Sequence, residues 1–182
     1  MAEGITAVWK RVTPELRDEL VAFWLAEGAL DDAGVAEART EQVVCIGREA
    51  DGSIWGVGTA VLQVLPQLGQ PTYACRQFFS ARRRGKGQMM AFFGVVRDTL
   101  ELYNQALAQP ESIGILLEIQ NDMVAARYQL AYEPEADAYF IGYSPRGHHL
   151  RVVYFDGARL LLPPKPAQRS PPPSGGAGAA QG

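Results

Sequence analysis

The sequence contains little cysteine and no long apolar run. Its two cysteines, Cys45 and Cys75, each lie in a strand-like stretch. We interpret them as small core residues of a protein in a reducing compartment rather than as a disulfide framework. No apolar run reaches the length of a membrane span, and the first residues lack the basic-then-apolar order of a secretory signal. We therefore expect a cytoplasmic protein that does not associate with membranes.

The chain also lacks an excess of basic residues and a cluster of metal ligands. It has 17 Lys and Arg against 20 Asp and Glu, a formal net charge of -3. An acidic balance argues against a general nucleic-acid-binding protein. The only histidines, His148 and His149, are neighbours on the approach to a strand and would point to opposite faces. We therefore expect no metal site and no nucleic-acid partner.

The composition is otherwise that of a globular protein, with 47% hydrophobic residues in 182. This length favours one domain, which we place at residues 1–160. Residues 161–182 are rich in Pro, Gly and Ala, and from Pro163 onward they contain no large apolar residue. We expect this tail to be disordered, with a docking role as an open alternative.

Hydrophobic periodicity predicts seven strands and four helices. The fold class predicted is α+β, with a mixed, mostly antiparallel sheet of about seven strands flanked by helices. A helix crossover joins the fourth strand to the fifth. The predicted strands are 5–12, 42–49, 54–65, 72–79, 114–120, 138–144 and 150–157. The predicted helices are one that follows Thr13 as its N-cap, a short one within 27–41, and two that span 88–107 and 121–131.

The segment "FFSARRRGKGQMMAFF", residues 78–93, places arginines and glycines where the long helix begins. A Walker A loop is excluded because Ser80 and Gly87 occupy positions that require Gly and Ser or Thr, and a G-x-G-x-x-G fingerprint is excluded by Met90. What remains is Arg82-x-x-Gly85-x-Gly87 at a helix start, where free N–H groups and the helix dipole favour an anion. No acidic residue follows before Asp98, so we expect nothing nearby to oppose the bound charge.

This hexad resembles the acetyl-CoA-binding motif [R/Q]-x-x-G-x-[G/A] of the GNAT superfamily of N-acetyltransferases. It lies between the fourth strand and the long helix, where that fold places it. A second motif of the family has an Asn and a Tyr at a fixed spacing, and Asn121 and Tyr128 keep that spacing. Two features depart from the family pattern. Ala131-Tyr132 stands in place of a Gly-Phe pair and lies one residue earlier, and Phe79 occupies a position where members commonly have a proline. The resemblance covers residues 5–157 and indicates a divergent member.

The resemblance implies that acetyl-CoA lies where the fourth and fifth strands splay apart. The pyrophosphate would bind backbone amides of residues 84–88, and the pantetheine would pair along strand 72–79. A backbone N–H near Gln77 or Phe78 would polarise the thioester carbonyl. The residues so implied for acetyl-CoA binding are Gln77, Phe78, Phe79, Arg82, Arg84, Gly85, Lys86, Gly87, Gln88 and Asn121.

Two residues are candidates for catalysis under the same resemblance. Tyr128 would protonate the departing thiolate, although a core aromatic without catalytic role is an open alternative. Glu118 would accept the proton of the attacking amine, directly or through water, with a plain strand-edge carboxylate as its alternative. The fourth strand has no carboxylate where some members carry a glutamate base.

The implied function is N-acetylation of a primary amine, a small molecule or a peptide, by direct attack in a ternary complex. A homodimer is implied as possible through the last two strands. The alternative function is a non-catalytic acyl-CoA-binding or interaction module. In the family, the region that corresponds to residues 27–41 forms a wall of the acceptor site. In this chain the region is acidic, so it either attracts a cationic amine or is a solvated loop.

Overall fold

Eight strands form one sheet in the computed structural model, which describes residues 4–161. The tail predicted to be disordered lies outside the described residues from position 162 onward. The strands are β1 Ile5–Ala7, β2 Val43–Arg48, β3 Ile54–Val64, β4 Pro71–Phe79, β5 Gly114–Ile119, β6 Tyr132–Glu133, β7 Ala138–Tyr143 and β8 His149–Tyr154; the helices are α1 Pro14–Ala26, α2 Ala33–Thr40, α3 Met89–Ala106 and α4 Asp122–Arg127.

The sheet has the order β1-β2-β3-β4-β5-β8-β7-β6. All neighbouring pairs are antiparallel except β4 and β5, which run parallel and are joined by α3. The predicted mixed, mostly antiparallel sheet with a helix crossover is therefore confirmed. The additional strand β6 has only two residues, too few for an alternating pattern to be recognised in the sequence.

Helices α1 and α2 cover one end of one sheet face. Thr13 caps α1 by accepting from the Leu16 N–H, and Pro14 occupies the first helical position, where no N–H is needed. The side chain of Asp32 caps α2 in the same way. These helices and the strands beneath them share one core cluster, which contains Leu20, Trp24, Ile46 and Val57.

Helix α3 packs against the opposite face of the sheet. Its buried residues Phe92, Val96 and Leu100 join a second core cluster that includes strand residues Tyr73 and Ile115. Close approach requires glycine at position 58, because a Cβ there would lie 2.9 Å from Cγ2 of Val96. The long amphipathic helix predicted from the sequence is thus the main cover of this face.

The first strand is shorter than predicted, since β1 ends at Ala7 rather than at residue 12. The chain turns at Lys10, which has a φ of 59°. The preceding side chain, Trp9, is buried with its ring edge-on to Tyr73 and Tyr103. Burial of this large ring redirects a segment whose local pattern favours a strand. No helix within residues 4–161 is long and apolar enough to cross a membrane.

Candidate functional site

Strands β4 and β5 separate partway along their length. They pair from Tyr73 with Ile115 to Cys75 with Leu117. Beyond that point β4 continues to Phe79 and β5 to residue 119, but the two strands no longer pair. The predicted splay of the fourth and fifth strands is therefore present.

Two cavities meet at this opening from opposite faces of the sheet. The helix-side cavity, about 590 Å³, lies between the sheet and helices α3 and α4 and is lined by residues such as Met89, Phe93 and Tyr128. The opposite cavity, about 480 Å³, lies on the other face and is lined by residues of β3, β4, β5 and the β7–β8 turn. Four residues line both cavities: Arg39, Cys75, Arg76 and Glu118.

The glycines of the turn before α3 adopt a conformation that L side chains rarely take. Gly85 has a φ of 76° and Gly87 a φ of 79°. A Cβ at either position would meet no atom within 4 Å. The requirement for glycine within the protein is therefore conformational rather than steric.

The amides of this turn are only partly used inside the protein. Arg84 N donates to the Ser80 carbonyl and Lys86 N to the Arg83 carbonyl, at 3.1 and 3.3 Å. Among the described residues, the amides of positions 85, 87 and 88 have no acceptor, and the Gln88 side chain does not cap the helix. A helix start with free N–H groups of this kind favours an anion.

The three arginines of the segment have different surroundings. Arg83 pairs with Glu49 through two hydrogen bonds. Arg84 donates from Nε to the Phe79 carbonyl at 2.9 Å. Arg82 is exposed and makes no hydrogen bond or ion pair with another described residue.

Acidic side chains do approach the turn, from distant parts of the chain. Besides Glu49, Glu27 accepts a hydrogen bond from Ala81 N at 2.8 Å. The expectation that nothing nearby opposes a bound anion is therefore wrong. It rested on the local sequence, in which neither glutamate is close.

The backbone of β4 presents Gln77, rather than Phe78, to the opening. Ser80 N donates to the Trp55 carbonyl of β3, and residues of an antiparallel pair alternate in the direction of their polar groups. Phe78 therefore directs its N–H toward β3, while Gln77 directs its own toward the opening. The Gln77 side chain also lines the helix-side cavity, and its buried Oε1 has no hydrogen-bond partner.

Asn121 and α4 form the far wall of the helix-side cavity. Oδ1 of Asn121 accepts from the Met123 and Val124 N–H groups at 3.0 and 3.2 Å, which caps α4. The helix ends at Arg127, four residues earlier than predicted, and Tyr128 follows with non-helical backbone angles. The side chain of Tyr128 lines the cavity.

The Tyr128 side chain is 8% exposed. Its hydroxyl donates to Oε2 of Glu135 at 3.4 Å. Burial, with the nearby Glu135 carboxylate, raises the pKa of the Tyr128 hydroxyl above its ordinary value. The residue therefore keeps its proton at neutral pH and is available as an acid.

Arg151 on β8 holds this segment in place and was not identified from the sequence. It is 2% exposed and donates to the carbonyl oxygens of Tyr128 and Leu130 at 2.7 and 2.9 Å. The Glu133 carboxylate lies 3.8 Å from the same guanidinium. An arginine inside the apolar stretch "LRVVYF" is the one signal in the sequence that could have identified it.

Glu118 lies where the two cavities meet, with its side chain 26% exposed. Nδ1 of His148 is 2.9 Å from its Oε1, and Gln120 donates to its Oε2 at 3.2 Å. The hydrogen bond with His148 lowers the pKa of the Glu118 carboxyl. The contact between Glu118 and His148 could not be predicted from the sequence, because the two residues are 30 positions apart.

Cys75 also borders both cavities. Burial raises the pKa of its thiol well above the ordinary value, and burial raises the pKa of Cys45 to about 12. Both thiols are free and buried. Neither has the thiolate character of a nucleophile at neutral pH. Within residues 4–161 no three His, Cys, Asp or Glu side chains are grouped so as to hold a metal ion.

The acidic segment 27–41 contributes a positively charged residue, and no acidic one, to the walls of the cavities. Its carboxylates Asp32 and Glu41 cap α2 and pair with Arg17, respectively. Arg39, the single base of the segment, lines both cavities, whereas none of its acidic residues lines either. The interpretation that this segment attracts a cationic amine is therefore not supported by its geometry.

Comparison with known proteins identifies the fold. No family model matches the sequence, and no curated protein is similar to it. A GNAT-family acetyltransferase from Streptococcus pneumoniae superposes with a TM-score of 0.55 at 12% identity over 83% of this chain and 98% of that one. An acetyltransferase of the GNAT family from Listeria monocytogenes 4b F2365 superposes with a TM-score of 0.52 at 16% identity over 83% and 94%. The chain therefore has the GNAT fold, and the predicted resemblance is confirmed at that level.

Proposed function

We propose that this GNAT-fold chain is an acyl-CoA-dependent N-acetyltransferase that transfers an acetyl group to a primary amine. The observation that carries the proposal is the helix-side cavity, which extends from Met89 at the start of α3, past the unpaired end of β4, to Tyr128. Its volume of about 590 Å³ is in the range of small-molecule sites. The likeness in fold to GNAT-family acetyltransferases supports the proposal.

The glycine turn would bind the pyrophosphate of acetyl-CoA. The amides of Gly85, Gly87 and Gln88 are free to donate, and the dipole of α3 favours the negative charge. Arg82 and Lys86 would contribute their side-chain charges. The amides of residues 84 and 86 already donate within the turn, so we assign them no part.

The open end of β4 would bind the pantetheine arm by adding it as a strand beside the unpaired backbone. Gln77 directs its N–H into this opening. Such a donor at the thioester carbonyl would stabilise the negative charge that develops on the oxygen during attack.

Transfer would proceed by direct attack of the amine nitrogen on the thioester carbonyl carbon. The C–S bond then breaks, the thiolate takes the proton of the Tyr128 hydroxyl, and the amine proton passes to Glu118 directly or through water. The products are the N-acetyl amine and free CoA. The protonated state of Cys75 gives no support to a covalent acetyl-enzyme.

The alternative is a module that binds acyl-CoA without turnover. One observation favours it: Glu118 already accepts hydrogen bonds from His148 and Gln120. No carboxylate of β4 is available to replace it. The free turn amides are compatible with either function, so binding alone does not separate the two.

The proposal is tested by incubating the purified chain with acetyl-CoA and a panel of primary amines. Free thiol is followed by a colorimetric reagent, and the acetylated amine is identified by mass spectrometry. We expect stoichiometric release of thiol and formation of N-acetyl product. Binding of acetyl-CoA without product from any amine would favour the non-catalytic module.

A further inference from the structure

The opposite cavity is rich in unpaired positive charge. Three arginines line it, Arg39, Arg76 and Arg146, against the single carboxylate of Glu118. That carboxylate is already paired with His148. None of the three arginines forms an ion pair with a residue in the described part of the chain, 4–161. The cavity therefore has a positive field that the protein itself does not neutralise.

The three arginines come from separate elements. Arg39 lies near the end of α2, Arg76 on the unpaired part of β4, and Arg146 in the turn between β7 and β8. Burial, and the nearby charge of Arg76, lower the pKa of the Arg39 guanidinium. Holding two guanidinium groups close together without a counter-charge has an electrostatic cost, which a bound anion would offset.

The remaining wall of the cavity is partly apolar. Val61 and Leu65 from the end of β3 and Leu116 and Leu150 from β5 and β8 line it. Its volume of about 480 Å³ is in the range of small-molecule sites. The cavity thus combines a cationic part, a short apolar wall and one carboxylate at the opening.

We infer that the acceptor is a primary amine that also carries a carboxylate, held in the opposite cavity with the carboxylate against Arg39 and Arg76 and the amine toward Glu118. The inference rests on the proposed function and names the class of its acceptor. The planar guanidinium of arginine matches a carboxylate with two parallel hydrogen bonds. An acceptor with several positive charges would meet like charge in the same cavity, which disfavours it.

Three amines of similar length and different tail charge test the inference. They are 4-aminobutanoate, n-butylamine and 1,4-diaminobutane, with anionic, neutral and cationic tails. Binding is measured by ligand-observed NMR in the presence of CoA, and kcat/KM by release of thiol from acetyl-CoA. We expect 4-aminobutanoate to bind about tenfold or more tightly than the other two and to have the highest kcat/KM.

Variants assign the preference to the arginines. Arg39→Gln and Arg76→Gln should each reduce the preference for 4-aminobutanoate by about tenfold through KM. Arg76→Glu should reverse it in favour of 1,4-diaminobutane. Arg159→Gln is the matched control, because Arg159 is exposed and lines neither cavity. We expect it to leave the preference unchanged.

A further comparison distinguishes a carboxylate from a phosphate. The binding of 2-aminoethyl phosphate is compared with that of ethanolamine, and the ratio of the two affinities measures the preference for phosphate. A ratio larger than that between 4-aminobutanoate and n-butylamine would overturn the assignment to a carboxylate. Equal binding of the three amines, no binding of 4-aminobutanoate, or a preference for the diamine would overturn the inference. Product formation separates these outcomes from failure of the proposed function. Acetylation of n-butylamine or 1,4-diaminobutane without a preference for 4-aminobutanoate overturns only the inference, whereas acetyl-CoA binding without product from any amine overturns the proposed function itself.

Discussion

At the scale of single residues, the chemistry of the site depends on partners that are distant in sequence. Tyr128 is buried beside Glu135, and Glu118 is held by His148. Burial, with the nearby Glu135 carboxylate, raises the pKa of the Tyr128 hydroxyl, and the hydrogen bond with His148 lowers the pKa of the Glu118 carboxyl. One group therefore remains a proton donor at neutral pH and the other remains ionised.

Replacement of Tyr128 by Phe should reduce kcat about a hundredfold without weakening acetyl-CoA binding. The expected loss lies at the lower end of the usual range for general acid catalysis, because a thiol with a pKa near ~8.5 is a fairly good leaving group. The measurement is steady-state kinetics with calorimetry of acetyl-CoA. Tyr143→Phe is the control, since Tyr143 is 59% exposed and lines neither cavity. An unchanged kcat in Tyr128→Phe would leave this tyrosine as a core residue.

The pair of Glu118 and His148 should make stability depend on pH. Because the pKa of Glu118 is lowered in the folded state, its stabilising contribution is full above the ordinary glutamate pKa and is lost as the pH falls through the lowered value. The difference in Tm between the natural chain and Glu118→Gln should therefore be largest at neutral pH and vanish at strongly acidic pH. Glu37→Gln, at an exposed position of α2, should show no such trend. A constant difference for Glu118→Gln would contradict the proposed pairing.

At the scale of elements, the turn before α3 is a local feature and could be predicted from the sequence. Glycines at 85 and 87, followed by a helix-period apolar pattern, are sufficient to indicate a helix start with free amides. The acids that approach it, Glu27 and Glu49, could not be predicted, because their distance depends on how α1 and β2 pack.

Gly87→Ala should destabilise the fold by about 1–2 kcal/mol, because Ala would have to adopt the left-handed conformation found there. Gly94→Ala is the matched control within α3. Its Cβ would meet no atom within 4 Å, and Ala is the better helix former, so we expect a gain of about 0.5–1 kcal/mol. Denaturant unfolding measures both. Similar values for the two variants would show that the turn is not conformationally constrained.

Element ends were the least predictable part of the fold. The segment 121–131 has a helical pattern, but the helix stops at Arg127. Just beyond this end, Arg151 donates hydrogen bonds to the carbonyl oxygens of Tyr128 and Leu130. A tertiary contact of this kind overrides local propensity, so the early end of the helix could not be predicted from local sequence.

Arg151→Met should lower the free energy of unfolding by about 3–5 kcal/mol, since it leaves the Glu133 carboxylate and two carbonyl groups without their buried partner. Arg127→Met is the control, because its side chain is 71% exposed and surface pairs contribute little. Chemical denaturation followed by fluorescence measures both variants. A loss below about 1 kcal/mol in Arg151→Met would show that Arg151 does not hold the segment after α4.

At the scale of the whole molecule, the sheet separates two cavities that meet only where β4 and β5 part. The helix-side cavity could be anticipated, because Asn121 and Tyr128 line it and the glycine turn directly precedes α3, whose Met89 also lines it, and both short motifs are recognisable in the sequence. The opposite cavity could not, because its arginines lie on α2, β4 and the β7–β8 turn. The sequence suggested an acidic acceptor region, whereas the folded chain presents Arg39 from that region instead.

Binding of acetyl-CoA is the most direct test of the proposed site. Calorimetry compares the natural chain with the double variant Gly85→Glu and Gly87→Glu, after circular dichroism has shown that the variant folds. Pantetheine, which lacks the pyrophosphate, serves as the control ligand for both proteins. We expect acetyl-CoA to bind the natural chain and not the variant, and the pantetheine signal to be the same in both. Absence of acetyl-CoA binding by the natural chain, or equal binding by the folded variant, would contradict a pyrophosphate site at the start of α3.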